Sequence, residues 1–542
     1  MGMVSLRRTP VGLRGGRFVV VAGPAGNDRV ALRNLMARHL VRGVHDALWY
    51  QRNAHAHVGW RRVTGSVGSN EDDPRIQVED HGIRVSTDEL GIEPVYLSKA
   101  GPYAVASSEL LPVVAAVKAM GRTPEPDMDA FFDLIVWGYT RGTRAIVRGV
   151  RRLAAAEAAF LGADGMINAP LASGIHATLE SPAVQPERTA TYAAFRDALR
   201  EVVARVVARS IPRWERPAIL WGPEASWKVL LGIGLDADIE LSPISEIHDF
   251  PNIATLKREE VLPRAVRWDK PSQIDREEWT FLGSAASTVE HWGKLPERSR
   301  ISRTCDHLIG PWHGTWCVED VIPHQPALAR DIFQLPSDDT LLAVFSGETQ
   351  SALIEWVDRA RADVQEADSN TSGQLSPALF RLLQERATRH EIAPALVMRT
   401  ALSVSLPWLD PRILAMGGSL PNSARGPSGF LNQMLGSVWP HLVSRKQTVG
   451  ALTRFLSRIG FARPQLQESV PHDRNDFEEM VPFIEQALPD LDFGDDVRID
   501  GIRSAIRENL PGIKRILCAL TMVHRFWARV DSIPDAAATL DD

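Results

Sequence analysis

Cys305, His307, His313 and Cys317 form a C-x-H-x5-H-x3-C cluster. Two thiolates and two imidazoles make a tetrahedral set suited to zinc, and two of the chain's three cysteines fall here. The spacing is not that of a standard knuckle, and Trp312 and Trp316 give the stretch a second reading as a packed apolar loop. Two further segments read as turns after apolar runs. Gly222 and Ser226 lie just after the apolar run Ala218-Ile219-Leu220-Trp221, and Ser346-Gly347-Glu348 follows Leu341-Leu342-Ala343-Val344-Phe345. Lys446, one of eight lysines, stands beside Arg445. Its plainest reading is a surface lysine.

The elements that must position these residues are read from composition and periodicity. The chain has 542 residues, with 61 basic and 67 acidic side chains and a net charge of -6. That length allows two to four domains. The acidic balance argues against a scaffold that neutralises nucleic-acid phosphates. Three cysteines exclude a disulfide framework and fit a reducing compartment. The early apolar run Phe18 to Ala22 is too short to span a bilayer, and Arg7-Arg8 has no apolar core beside it. Gly2 is followed by Leu6, where a myristoylation signal needs a hydroxyl. The expectation is a cytoplasmic protein with no membrane and no nucleic-acid partner.

The first 170 residues read as strands and turns with few helices. Phe18 to Ala22 is a buried-strand pattern; Ile76 to Val78 and Ile83 to Val85 alternate around Asp80-His81-Gly82 as a hairpin. Tyr103 to Ala106 is a short strand, and Glu109 to Met120 is helical in spacing. Ser173 to Pro186 reads as a linker. A helix starts near Thr189 and ends near Ser210, with apolar residues at three-and-four spacing from Phe195. Ala218 to Trp221 and Leu341 to Phe345 read as buried parallel strands, each followed by a turn and an apolar helix-like stretch. Beyond about residue 375 the pattern is mainly helical, with Ser376-Pro377 as a helix start. Asp88 is expected to cap or turn a loop, and Gly91 and Gly138 to need positive φ.

Three segments together resemble the asparagine synthetase superfamily. The first is Asp88 to Tyr96, D-x-x-G-x-x-P-x-Y in pattern, followed by Ala106-Ser107-Ser108-Glu109-Leu110. The second is Trp137-Gly138-Tyr139, Gly142-Thr143-Arg144 and Gly149-Val150-Arg151-Arg152-Leu153. The third is Pro407-Trp408-Leu409-Asp410-Pro411-Arg412, with Arg445-Lys446 downstream. The resemblance implies an α/β fold in two domains. Residues 1–180 would form a degenerate glutaminase-like domain of αββα, Ntn-hydrolase type. Residues 187–542 would form an asparagine synthetase-like ATP-pyrophosphatase domain with a helical carboxy-terminal part.

The family's glutaminase uses a cysteine at position 2 whose own α-amino group is the base. Here position 2 is Gly2, so that activity is expected to be absent, as in the branch of β-lactam synthetases and lasso peptide cyclases. In the second domain the resemblance places an S-G-G-x-D-S phosphate loop at Trp221 to Ser226, of which only Gly222 and Ser226 remain. Pro223 removes a backbone N–H, and Ala225 stands in place of the magnesium carboxylate. The second magnesium segment, S-G-E-G-A-D-E, is matched to Ser346 through Ala352, keeping Ser346, Gly347 and Glu348. Lys446 takes the position of the lysine that stabilises the oxyanion of amide formation. Three expectations follow. In the first, the chain is an amide-forming ligase of specialised metabolite or peptide biosynthesis, with altered use of ATP and magnesium. In the second, it is a pseudoenzyme, the scaffold or regulatory partner of an active ligase. In the third, it is a repurposed catalyst that uses no ATP. Substrates would be small molecules or peptides, and partners a companion ligase subunit or a second copy.

If Cys305, His307, His313 and Cys317 hold zinc, freshly prepared protein carries stoichiometric metal that survives dialysis, and Cys317→Ser loses it. Elemental analysis finding none leaves the packed-loop reading.

Overall fold

In the computed structural model the described residues are 12–13, 16–40, 48–52, 56–62, 76–88, 90–168, 192–210, 217–220, 225–239, 241–246, 264–266, 307–310, 335–368, 382, 385–386, 388–389, 403–410, 412–413, 416, 430–442, 481–482, 485 and 494–534. They form a mixed α/β structure with three sheets.

Two antiparallel sheets come first. One has the order β1 (Gly12–Leu13), β5 (Ile76–Glu79), β6 (Gly82–Ser86), β10 (Ala158–Gly162), β11 (Ile167–Asn168). The other has the order β3 (Leu48–Arg52), β4 (Ala56–Arg62), β2 (Gly16–Ala22), β8 (Tyr103–Ser107), β7 (Tyr96–Ala100), β9 (Arg151–Arg152). Side chains alternate across a strand, so β2 needs apolar residues on both faces if both are covered. It has them. Phe18, Val20 and Ala22 join Ile83, Val85, Leu97, Ala104 and Ala106 in a core between the two sheets. Val19, Val21, Tyr96 and Val105 face the other way, into a second core with the helices α1 (Asn27–Arg38), α2 (Leu110–Ala119) and α3 (Met128–Trp137). The layers are thus sheet, sheet, helices.

The hairpin and the Tyr103 strand are where the sequence puts them, in the register Ile76 to Val85 and Val78 to Ile83. Asp88 does cap its loop: its carboxylate accepts from the amides of Leu90, Ile92 and Glu93 at 3.0, 3.2 and 2.7 Å. Gly91 and Gly138 have φ of +67° and +80°. Helices α1 and α3 stand in a region read as having few helices. The apolar run of α3 is buried along nearly its whole length, so it shows no clean stripe. Its helical state is signalled instead by its ends: the Asp127 carboxylate accepts from the Ala130 amide, and Gly138 closes the helix in the left-handed region.

The second half supplies α4 (Tyr192–Ser210), α5 (Ala225–Asp236), α6 (Asp338–Val344), α7 (Gly347–Asp368), α8 (Phe430–Val438), α9 (Ile499–Glu508) and α10 (Ile513–Asp531). Its sheet is parallel, in the order β14 (Arg264–Val266), β13 (Ser242–Glu246), β12 (Ala218–Leu220), β15 (His307–Ile309), β16 (Ser403–Ser405). The parallel strand expected at Ala218 is present. The strand expected at Leu341 to Phe345 is not: residues 338–344 are α6. Ser337 caps it, accepting from the Thr340 amide, with Asp338 and Asp339 in the first turn. Leu341 and Val344 are buried and Leu342 is exposed, which is helical and not strand spacing.

Helices α7 and α10 pack on α3, and α10 also meets α2. One apolar core runs from Val19 to Ile533 through both halves. Asp133 of α3, 1% exposed, accepts from Trp356 Nε1 of α7 at 3.1 Å and from the Arg141 amide and Arg144 Nη1 at 2.9 and 3.1 Å. Arg515 of α10 donates to the Val136 carbonyl at 2.7 Å, and Lys118 of α2 to the Val530 carbonyl at 3.1 Å. No helix among the described residues is long and apolar enough to cross a membrane. The linker expected at Ser173 to Pro186 and the helix start at Ser376-Pro377 lie outside the described residues.

His57 of β4 is buried, with Arg33 Nη1 3.5 Å from its Nδ1. Burial, then Arg29, Arg33 and Arg52, push its imidazole down to about 4. The unfolded chain takes up that proton near the ordinary 6.5. Between these values the unfolded state binds more protons, so stability falls as pH falls from about 6.5 to about 4, by at most about 3 kcal/mol. Denaturant titrations over that window should show a shallower pH slope in His57→Gln than in the parent.

Candidate functional site

The parallel sheet determines where a ligand can sit. From β12 the chain moves outward through β13 and β14, then returns across β12 to β15 and β16. The order therefore reverses between β12 and β15. In an open parallel sheet the loops at the carboxyl ends diverge at that point and leave a crevice. Helix α5 opens there, four residues after β12 ends, and its first turn carries Ser226 and Lys228. Ser226 is 1% exposed, and among the described residues its Oγ has no hydrogen-bond partner. Backbone amides of a first helical turn favour an anion, and a hydroxyl beside them donates in the same sense.

Helix α5 is held by close contacts. A Cβ on Gly232 would stand 2.6 Å from the Trp439 ring, and one on Gly234 2.4 Å from the Leu241 side chain. Helices α4 and α8 pack on it, with Phe195 of α4 edge-on to Phe430 of α8 at 5.2 Å. Across the order reversal, β15 is followed by Gly310, whose amide donates to the Ser405 carbonyl at 2.8 Å. Beyond β16 the Pro407–Leu409 turn leads to Asp410, so the P-W-L-D segment leaves the carboxyl edge of the same sheet. Trp408 is wholly buried. The Asp410 carboxylate accepts from the Arg412 amide at 2.9 Å and pairs with Arg205 of α4 at 3.4 Å. It fixes the turn to α4.

Ser346, Gly347 and Glu348 are placed differently from the sequence expectation. They follow a helix, not a strand, and open α7 in the layer against α3. Gly347 has φ +60°, and a Cβ there would lie 2.6 Å from Asp496 Oδ1. The Thr349 amide donates to Asp496 Oδ2 at 3.4 Å, and the Ser346 amide and hydroxyl donate to the Asp496 carbonyl at 2.8 and 3.2 Å. This helix end already holds a carboxylate of its own chain, which answers the amides and the dipole that a phosphate would use. Glu348 is exposed beside it.

The strand across the reversal from β12 is His307–Ile309. A signal for it was present. Ile219-Leu220-Trp221-Gly222-Pro223 and Leu308-Ile309-Gly310-Pro311 are both short apolar runs stopped by Gly-Pro. His307 lies at the amino end of its strand, paired with Ser403. Cys305, His313, Cys317, Gly222 and Lys446 lie outside the described residues, and among the described ones no group of three or more His, Cys, Asp or Glu is arranged to hold a metal. At the other end of the chain, Arg17 at the start of β2 pairs with Glu109 of the Ala106 to Leu110 segment at 3.2 Å. Ser107 and Ser108 bond the Phe18 backbone at 2.8 and 3.0 Å. No family model matches the chain, and no curated protein matches it.

Ser226→Ala should leave the melting temperature unchanged or raise it, because an unsatisfied buried hydroxyl costs about 1–3 kcal/mol. Thermal denaturation checks this. A loss above about 1 kcal/mol would mean that the hydroxyl is satisfied in the free protein.

Proposed function

We propose that the chain is a divergent amide-bond-forming protein of the asparagine synthetase type, joining a carboxylate to an amine of a specialised metabolite or peptide, without glutamine hydrolysis. The observation that carries the reading is the order reversal of the parallel sheet, with the Ser226 turn at its carboxyl edge. Two packed sheets followed by a parallel sheet suit the reading, although among the described residues the two-sheet layer is covered by helices on one face and the resemblance implies helices on both. The Arg17–Glu109 pair fits a first domain without a thiol nucleophile, since it fills the strand end beside Ala106 to Leu110 with an ion pair.

The residues fit a nucleotide and its metal unequally. The orphaned Ser226 hydroxyl and the first amides of α5 suit a polyphosphate. Magnesium fits poorly: Ala225 offers no carboxylate, and Asp496 takes up the α7 end. When bound, ATP would supply the energy for activating the carboxyl group as an acyl-adenylate. Ser226 and the α5 amides would hold the phosphates against the sheet edge. Lys446 would stand by the developing oxyanion of amide formation as a fixed positive charge.

A second reading has its own support. Pro223 and Ala225 weaken the first phosphate segment and Asp496 closes the turn matched to the second, so the crevice would serve as a binding surface in a pseudoenzyme partnered with an active ligase.

In the producing strain Lys446→Ala should cut amide product by roughly 10²–10³ in rate, the usual loss of one oxyanion donor. Lys446→Arg should rescue poorly, because a planar fork does not replace a point charge. Unchanged product from Lys446→Ala would favour the pseudoenzyme. Exchange of pyrophosphate into ATP by the purified protein separates the two readings directly.

A further inference from the structure

Met166 is 46% exposed. The other methionines among the described residues are shielded: Met36, Met434 and Met522 are buried, and Met120, Met128 and Met416 pack partly buried against the apolar core. The Met166 sulfur is also held in one place. Met166 ends the turn between β10 and β11. The Gly162 amide donates to its carbonyl, and its own amide donates to the Asp164 carboxylate, both at 2.9 Å. Gly165 has φ +73°, and a Cβ there would collide with the Pro102 carbonyl. The turn therefore lies directly on the chain that joins β7 to β8.

Lys99 of β7 reaches this turn, and its Nζ donates to Met166 Sδ at 3.1 Å. The contact joins the two antiparallel sheets, since β7 belongs to one and β10 and β11 to the other. Among the described residues no carboxylate pairs with Lys99. A thioether is a weak acceptor for an ammonium, so the contact strengthens if the acceptor improves.

Oxidation improves it. A sulfur lone pair attacks the distal oxygen of a hydroperoxide; the S–O bond forms and the O–O bond breaks. With hydrogen peroxide, the leaving hydroxide takes the proton of the transferred oxygen, and the products are sulfoxide and water. Sulfur loses the two electrons that the peroxide gains. Lys99 occupies one sulfur lone pair and leaves the other for the attack, while its charge stabilises the departing oxygen. The sulfoxide oxygen then accepts a charge-assisted hydrogen bond from the same ammonium. In a core, the added oxygen would disrupt packing; at an exposed turn it costs little.

We propose that Met166 is a reversible oxidation site, at which a hydroperoxide makes the sulfoxide and Lys99 grips the new oxygen across the two sheets. The exposed sulfoxide is open to methionine sulfoxide reductases, which restore the thioether.

The test treats the full native chain with hydrogen peroxide and follows each methionine by peptide mass mapping. Met166 should oxidise roughly tenfold or more faster than Met36, Met434 and Met522. Oxidation should raise the folding constant of the parent roughly two- to fivefold, the usual reach of an exposed charge contact. Met166→Leu and Lys99→Ala should lose that gain, and Lys99→Arg, which keeps a charged donor, should retain part of it. The proposal is overturned if Met166 stays reduced while a buried methionine oxidises, or if oxidation changes the stability of the parent and of Lys99→Ala alike.

Discussion

The carboxylate of Asp133 is the point at which the two halves of the chain depend on each other. It sits inside the apolar core, where an isolated charge is not tolerated, and burial pushes its carboxyl above the usual range. Three donors oppose that push: the Arg141 amide, the Arg144 guanidinium and the Trp356 indole. Two belong to the turn after α3 and one to α7, so the charge is solvated by parts of the chain more than two hundred residues apart. Arg144 and Arg359 also lie over the Trp356 ring at 5.5 and 4.2 Å, which fixes the indole that donates. The position of α7 is therefore set by polar geometry as well as by apolar contact.

That arrangement shapes the rest. With α7 fixed on α3, its amino end falls beside the Gly494–Asp496 turn, and Asp496 becomes its cap. The Ser346-Gly347-Glu348 segment is used to start a helix in this layer, and the glycine is required by its positive φ and by the nearness of Asp496. The parallel sheet is built separately, around β12, with α5 seated by Gly232 against Trp439. The Ser226 turn and the Asp496 cap are thus two different helix ends, one with a hydroxyl unpartnered among the described residues and one with its donors answered.

Much of the amino-terminal fold was legible because its signals are local. Alternation fixed the hairpin of β5 and β6, and the β-branched run of β2 marked a strand covered on both faces. The Asp88 loop and the glycines at 91 and 138 were legible from turn chemistry alone. Helix α3 was not, because a helix covered on all sides loses the stripe that marks it. The run at Leu341 was misread as a strand because a short apolar segment fits either state, and only the Ser337-Asp338-Asp339 start tells them apart. At the candidate site, Ser226 was found by pattern. Its lack of a partner among the described residues and the carboxylate at Gly347 are tertiary facts with no local trace.

The shared core from Val19 to Ile533 means that the two halves are not independent bodies, since elements of both bury apolar surface in common. A change that loosens α10 uncovers apolar surface of α2 and α3 as well. The halves therefore lose their burial together, and neither keeps its core once the other has come away.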